Sequence, residues 1–146
     1  MTGSGNGPPG GAIACPRLEE GIFFYDPERG WVRAVQPPMP GNTLLVFVNV
    51  LCKHTCNELF HQLSEKAGGL LGRAVDVYLV VCTRFHKVCG DPDAGNLFRA
   101  HDVIASPAVV LYIGGRLVAK LQGRLRLEQN LDSIVKAIAE AAGQSR

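Results

Sequence analysis

Several features that mark exported, membrane-bound or nucleic-acid-binding proteins are missing from this 146-residue sequence. Its opening segment has neither the basic start nor the apolar centre of a signal peptide, and no apolar run reaches the ~18 residues of a membrane span. The 15 basic and 13 acidic residues are intermixed and leave a net charge of +2, so no basic tract indicates a nucleic acid or an anionic membrane. We therefore expect a soluble, cytoplasmic protein without such partners, and the oligomeric state stays open.

Cysteine is present in an odd number, five, which does not fit a framework of paired structural disulfides. In a reducing compartment, thiols more often serve catalysis, metal binding or simple burial, although intracellular proteins of hyperthermophiles are an exception that the sequence leaves open. The length and the hydrophobic content of 47% are typical of one globular domain whose core needs no stabilising cross-links.

The chain divides into a polar start and a patterned remainder. Residues 1–12 are rich in Gly and Pro and cannot bury enough surface to offset the entropy of ordering, which predicts a disordered tail. Residues 13–146 are expected to form a single domain. Within it, two short runs at 22–25 and 31–35 flank a turn around "DPERG", which predicts a β-hairpin.

Apolar patterning predicts alternating strands and helices over the rest of the chain. The run "TLLVFVNV" is apolar almost without interruption, which is typical of a strand covered on both faces. Apolar residues from Cys56 onward follow at helical spacing, and "AVDVYLVV" is a second buried strand that ends at Cys82. A short helix, a hairpin with a Gly-Gly turn and a closing amphipathic helix complete the predicted α/β order.

Cys52 and Cys56 lie at the junction of the first buried strand and its helix. A helix N-terminus has unpaired N–H groups and a partial positive charge, which stabilise an anion such as a thiolate, and His54 between the two thiols can tune it. Two cysteines four residues apart on one helical face also satisfy the Cα separation of roughly 4.4 to 6.8 Å that a disulfide allows. The pair is therefore either a reversible redox pair or, for Cys56, a small buried hydrophobe.

From roughly residue 43 to 141 the chain resembles the thioredoxin-like superfamily. The segment "SPAVVLYIGGRLVAKLQG" with its closing helix resembles the second half of thioredoxin, and "LLVFVNVLCKHTC" resembles the strand that delivers its paired cysteines to a helix. The resemblance implies a central mixed β-sheet flanked by helices, here preceded by an N-terminal hairpin in place of the usual opening strand and helix. It also implies a cis proline at Pro107, after Ser106, that faces the nucleophilic Cys52 and helps to hold a substrate strand.

The resemblance further implies a thiol–disulfide oxidoreductase that acts on protein disulfides or dithiols without a cofactor. Cys52 would attack a partner disulfide and Cys56 would resolve the mixed disulfide. The chain departs from the family in having CxxxC in place of CxxC, with Thr55 where the resolving cysteine is expected. Leu51 stands where the family has a tryptophan. Val46 stands where the family has a buried aspartate that assists proton transfer from the resolving thiol. The preferred redox direction is therefore open.

Cys82 and Cys89 raise alternatives to a redox function that uses Cys52 and Cys56 alone. In a thioredoxin-like sheet, Cys82 ends its strand on the same side as the start of the Cys52 helix, so Cys52, Cys56, Cys82 and Cys89 could together bind zinc or an iron–sulfur cluster. Their gaps match neither a tight zinc knuckle nor the familiar ferredoxin runs. Cys82 and Cys89 could instead form a second disulfide that passes electrons to the first pair, while Cys15 is interpreted as a bystander. A redox-silent interaction module is the remaining hypothesis.

Overall fold

We describe residues 13–39, 41–83 and 89–144 of the protein from a computed structural model. The segment 1–12, for which the sequence predicts a disordered tail, lies outside these residues. Within the described ranges, no helix is both long enough and apolar enough to cross a membrane.

The described residues form strands and helices in the order that the sequence patterning predicts. In chain order the elements are β1 (Gly21–Asp26), β2 (Gly30–Arg33), β3 (Thr43–Asn49), α1 (Lys53–Ala67), a 3-10 turn (Gly68–Leu70), β4 (Asp76–Cys82), α2 (Pro92–Ala100), β5 (Ala108–Ile113), β6 (Arg116–Gln122) and α3 (Arg124–Gln144).

The strands form one mixed sheet in the spatial order β2-β1-β4-β3-β5-β6. β3 and β4 are parallel, and α1 provides the crossover between them, whereas the other neighbouring strands are antiparallel. The hairpin of β1 and β2 joins this sheet because β1 pairs with β4. The predicted α/β fold, a central mixed sheet flanked by helices and preceded by a β-hairpin, is confirmed.

Two apolar cores cover the two faces of the sheet. Successive side chains of a strand point to opposite faces, so β3 sends Val46 and Val48 into one core and Leu45 and Phe47 into the other. Helices α1 and α3 pack on the first core, which we call the α1–α3 core, and α2 packs on the second, the α2 core. Burial on both faces explains why the sequence of β3 shows no polar alternation.

Candidate functional site

Asn49 ends β3 and forms the turn that places Cys52 at the start of α1. Its carbonyl accepts a hydrogen bond from the backbone N–H of Cys52 (2.9 Å), and its side-chain oxygen accepts one from the N–H of Leu51 (2.9 Å). Cys52 is the N-cap residue of α1, and the N–H of Cys56 donates to its carbonyl (2.8 Å). The Cys52 thiol is free and partly exposed, and it lies where the N–H groups of the first helical turn favour negative charge.

The loop before β5 supplies the polar contact of this thiol. The Ser106–Pro107 peptide bond is cis, as the resemblance implies. Ser106 Oγ donates to Cys52 Sγ (3.4 Å) and accepts from the backbone N–H of Asn49 (3.1 Å), so one hydroxyl joins the end of β3 to the start of α1. The Pro107 carbonyl accepts from the N–H of Gly123 (2.9 Å), which fixes the loop against the end of β6. The structure thus brings together Cys52, Ser106 and Pro107.

His54 lies on the outer face of the first turn of α1. Its side chain is 87% exposed, and Nε2 lies 3.3 Å from Oε2 of Glu58, one helical turn further on. The structure therefore gives His54 a carboxylate neighbour on the helix surface. Its role in tuning the Cys52 thiolate stays a prediction.

Cys56 forms a disulfide with Cys15, not with Cys52. The Cα atoms of Cys15 and Cys56 lie 6.2 Å apart across 41 residues of sequence, and both side chains are buried in the α1–α3 core. The expected Cys52–Cys56 bond is thus not the one present, and the interpretation of Cys15 as a bystander is wrong. The physical reason is that Cys56 faces inward, where the segment before β1 crosses α1. That segment has no periodic pattern, so apart from the presence of a cysteine its sequence does not indicate a contact with α1.

Three hydrogen bonds hold this segment, residues 13–15, which we call the strap. Two strap N–H groups donate to side chains of α1, one to Ser64 Oγ (2.9 Å) and one to Asn57 Oδ1 (2.8 Å). Trp31 Nε1 donates to the carbonyl of Ala14 (2.8 Å), which joins the strap to the hairpin. The strap is therefore anchored to two separate elements by bonds that do not involve a sulfur atom.

Cys82 and Cys89 form a second disulfide, with their Cα atoms 5.3 Å apart. Cys82 belongs to the α2 core, whereas Cys15 and Cys56 belong to the α1–α3 core, so the sheet lies between the two disulfides. The four cysteines of the zinc or iron–sulfur hypothesis, Cys52 included, are not brought together. Among the described residues, no three His, Cys, Asp or Glu side chains are placed to share a metal ion.

Glu20 links Thr83 and Gly90, which each follow directly after a cysteine of the second disulfide. Its carboxylate accepts hydrogen bonds from the backbone N–H groups of Thr83 (2.8 Å) and Gly90 (3.0 Å). These bonds, that from Thr83 first, hold the pKa of Glu20 below its ordinary value of 4.5. No local pattern predicts these two hydrogen bonds, because Glu20 lies more than 60 residues from both donors.

The surroundings of the Cys52 site are partly apolar. Leu51, next to Cys52, is 88% exposed. Ile104 lies two residues before Ser106 and Leu125 two residues after Gly123, and both side chains are also mostly exposed. A shallow groove beside the site runs between α1 and α3 and includes Thr55 and Pro107. Exposed apolar side chains therefore lie within two residues, along the chain, of Cys52, Ser106 and Gly123.

Comparison with known proteins supports the fold. No protein-family model matches the sequence, and no curated protein is significantly similar to it. Among solved structures, the crystal structure of thioredoxin from Aeropyrum pernix is similar, with a TM-score of 0.54 and 19% sequence identity, over 82% of this chain and 96% of that chain. The protein therefore has a thioredoxin-like fold, and the resemblance to that superfamily is confirmed at the level of the fold.

Proposed function

We propose that this protein is a thiol–disulfide oxidoreductase in which Cys52 is the attacking thiol. The observation that carries the proposal is a free, partly exposed thiol at the N-terminus of α1, hydrogen-bonded by Ser106 beside cis Pro107. A thiolate is the nucleophile in disulfide exchange, and a helix N-terminus stabilises it. The Ser106 hydroxyl adds a donor that also favours the anionic sulfur.

In the reducing direction, the Cys52 thiolate attacks one sulfur atom of a partner disulfide. The partner's S–S bond breaks, its second sulfur leaves as a thiolate that takes up a proton, and a mixed disulfide with Cys52 remains. In the fully reduced protein, Cys56 then attacks the Cys52 sulfur and releases the partner's remaining thiol. The four-residue spacing of Cys52 and Cys56 on α1 is within the range for a disulfide. A dithiol donor returns the protein to its reduced form.

The partners in this proposal are protein disulfides or dithiols, presented as an extended segment beside Pro107. The exposed side chains of Leu51, Ile104 and Leu125 support this choice, because exposed apolar surface favours a polypeptide over a small hydrophilic disulfide. We also propose that the protein acts in the cytoplasm. Disulfides that form there are usually catalytic or redox-sensing, which agrees with a redox role for these cysteines.

The test is turnover of a disulfide-bonded model peptide with dithiothreitol as the electron donor. We expect the wild-type protein to accelerate reduction above the rate with dithiothreitol alone, and Cys52→Ser to lose roughly 100-fold or more of that activity. Cys89→Ser is the matched control, because it removes a cysteine sulfur on the opposite side of the sheet, and it should retain the wild-type rate.

Equal rates for Cys52→Ser and the wild type would refute the proposal, and so would a wild-type rate no higher than that of dithiothreitol alone. In either case the redox-silent interaction module becomes the better account. The observation that favours this second candidate is the bond from Cys56 to Cys15, which leaves Cys52 without a free resolving thiol on α1 in the state described.

A further inference from the structure

We propose that Cys15 is a second resolving thiol, which moves the oxidised bond from Cys52–Cys56 at the start of α1 into the buried Cys15–Cys56 position. This inference rests on the proposed function, because it uses Cys52 as the thiol that reacts with the partner. It deepens that function by adding a catalytic cysteine from the strap, outside the strand-to-helix junction.

Cys56 is the sulfur shared by the two possible disulfides. It lies one helical turn from Cys52 and is bonded to Cys15, whose Cα atom is 6.2 Å away. Cys52 packs against the same α1–α3 core that contains Cys15 and Cys56. Cys56 is therefore the sulfur through which Cys15 and Cys52 can exchange, because it is bonded to one and lies one helical turn from the other.

The strap keeps Cys15 in place whether or not its sulfur is bonded. Its N–H groups donate to Ser64 and Asn57 of α1, its carbonyl accepts from Trp31, and Ile13 is buried in the core. A Cys15 thiol that is not in a disulfide therefore remains next to Cys56. Because the reacting groups are held together, the exchange is intramolecular and has a high effective concentration.

The exchange step balances without any added oxidant or reductant. The Cys15 thiolate attacks the Cys56 sulfur of the Cys52–Cys56 bond, the Cys15–Cys56 bond forms, and Cys52 leaves as a thiolate that takes up a proton. The departing Cys52 sulfur returns to its position beside the Ser106 hydroxyl. Over the whole sequence, the partner disulfide gains two electrons and becomes two thiols, while Cys15 and Cys56 lose them. Cys52 ends as a thiol.

This route accounts for the bonding pattern of the structure. An oxidised protein that relied on Cys52 and Cys56 alone would end with its nucleophile in a disulfide. Here the nucleophile is free while Cys56 is oxidised, which is the product that the second exchange gives.

The experiment follows the order in which the two disulfides appear. Fully reduced, full-length protein is mixed with one equivalent of a disulfide-bonded model peptide, quenched with acid at intervals, alkylated and mapped by peptide mass spectrometry. We expect Cys52–Cys56 to form first and to convert into Cys15–Cys56, while Cys52 becomes open to alkylation again. Cys15→Ala should stop at Cys52–Cys56, whereas the control Cys89→Ala should follow the wild-type course.

The exchange is overturned if the wild-type protein ends with Cys52–Cys56 and an alkylated Cys15. It is also overturned if Cys52→Ser forms Cys15–Cys56 from the peptide as fast as the wild type, because Cys52 is then not the entry point. Failure to release any peptide thiol sinks the proposed function and the exchange together, whereas release without transfer to Cys15 sinks the exchange alone. If Cys15→Ala does not fold, the wild-type time course decides, since the order of bonds is the claim.

Discussion

Loss of the Cys15–Cys56 disulfide should destabilise the oxidised protein more than loss of the Cys82–Cys89 disulfide. Both bonds restrict the unfolded chain, and the restriction grows with the length of the loop that each bond closes. The first bond spans 41 residues and the second only 7. The comparison therefore measures whether the strap is covalently joined to α1 in solution.

The chain-entropy relation supplies the magnitudes. At 25 °C a loop of 41 residues corresponds to about 4 kcal/mol of stabilisation and a loop of 7 residues to about 2.4 kcal/mol. We expect the two losses to differ by about 1.6 kcal/mol. The strap hydrogen bonds remain in both variants, so this difference reports the covalent bond.

The assay is chemical denaturation of oxidised Cys15→Ala and Cys89→Ala, both made in a Cys52→Ser background. That background prevents Cys52 and Cys56 from forming a replacement bond when Cys15 is absent. The same proteins measured in dithiothreitol are the control. There the variants should agree with their background to within about 1 kcal/mol, because each substitution only replaces one thiol group by a hydrogen atom.

Two results would refute the reasoning. The first is an oxidised Cys15→Ala protein that is at least as stable as oxidised Cys89→Ala. The second is a gap between the two variants that persists unchanged in dithiothreitol, because the gap would then come from packing and not from the disulfide.

Two further predictions concern acid stability and the core. The folded-state pKa of Glu20 lies below 4.5, so its bonds to Thr83 and Gly90 contribute stability that is present above that pH and is lost as the pH falls through the folded pKa. Glu20→Gln should therefore flatten the fall of the urea midpoint between about pH 6 and pH 3, and an unchanged slope would contradict the assignment. Changing Phe47, which is fully buried in the α2 core, to Ala should lower the free energy of unfolding by about 3 to 5 kcal/mol. Leu51→Ala, at an exposed position, should change the free energy of unfolding by no more than about 0.5 kcal/mol. Similar losses of stability for the two variants would contradict the burial pattern.

Local patterning was enough to predict most of the sheet. The uninterrupted apolar run of β3 predicts burial on both faces, and residues 43–48 are buried. The turn between β5 and β6 has positive φ at Gly114 and Gly115, as the Gly-Gly pair predicts. The second strand of the hairpin ends at Arg33, earlier than the predicted 35. β2 is an edge strand that pairs only with β1, and the bond from the N–H of Ala34 to the carbonyl of Ile22 (2.9 Å) continues that pairing just past Arg33. Val35 is 96% exposed.

The resemblance carried the prediction further into the site. It implied a cis peptide bond at Pro107, and that bond is present. The contact of Ser106 Oγ with Cys52 Sγ and the turn made by Asn49 depend on the distance between three segments. No local pattern reports such a distance, so the structure was needed to define them.

The sequence by itself determined the order of elements, the helix that begins at the thiols and the apolar residues available for the cores, because each follows from local periodicity and turn chemistry. Only the tertiary structure decided the partners of the cysteines. Spacing along α1 favoured Cys52 as the partner of Cys56, yet the strap crosses that helix and brings Cys15 to the same sulfur. Likewise, strand alternation sends Cys82 to the opposite core. A disulfide requires two Cα atoms within about 7 Å in space, a condition that an irregular segment meets through packing without leaving a periodic trace in the sequence.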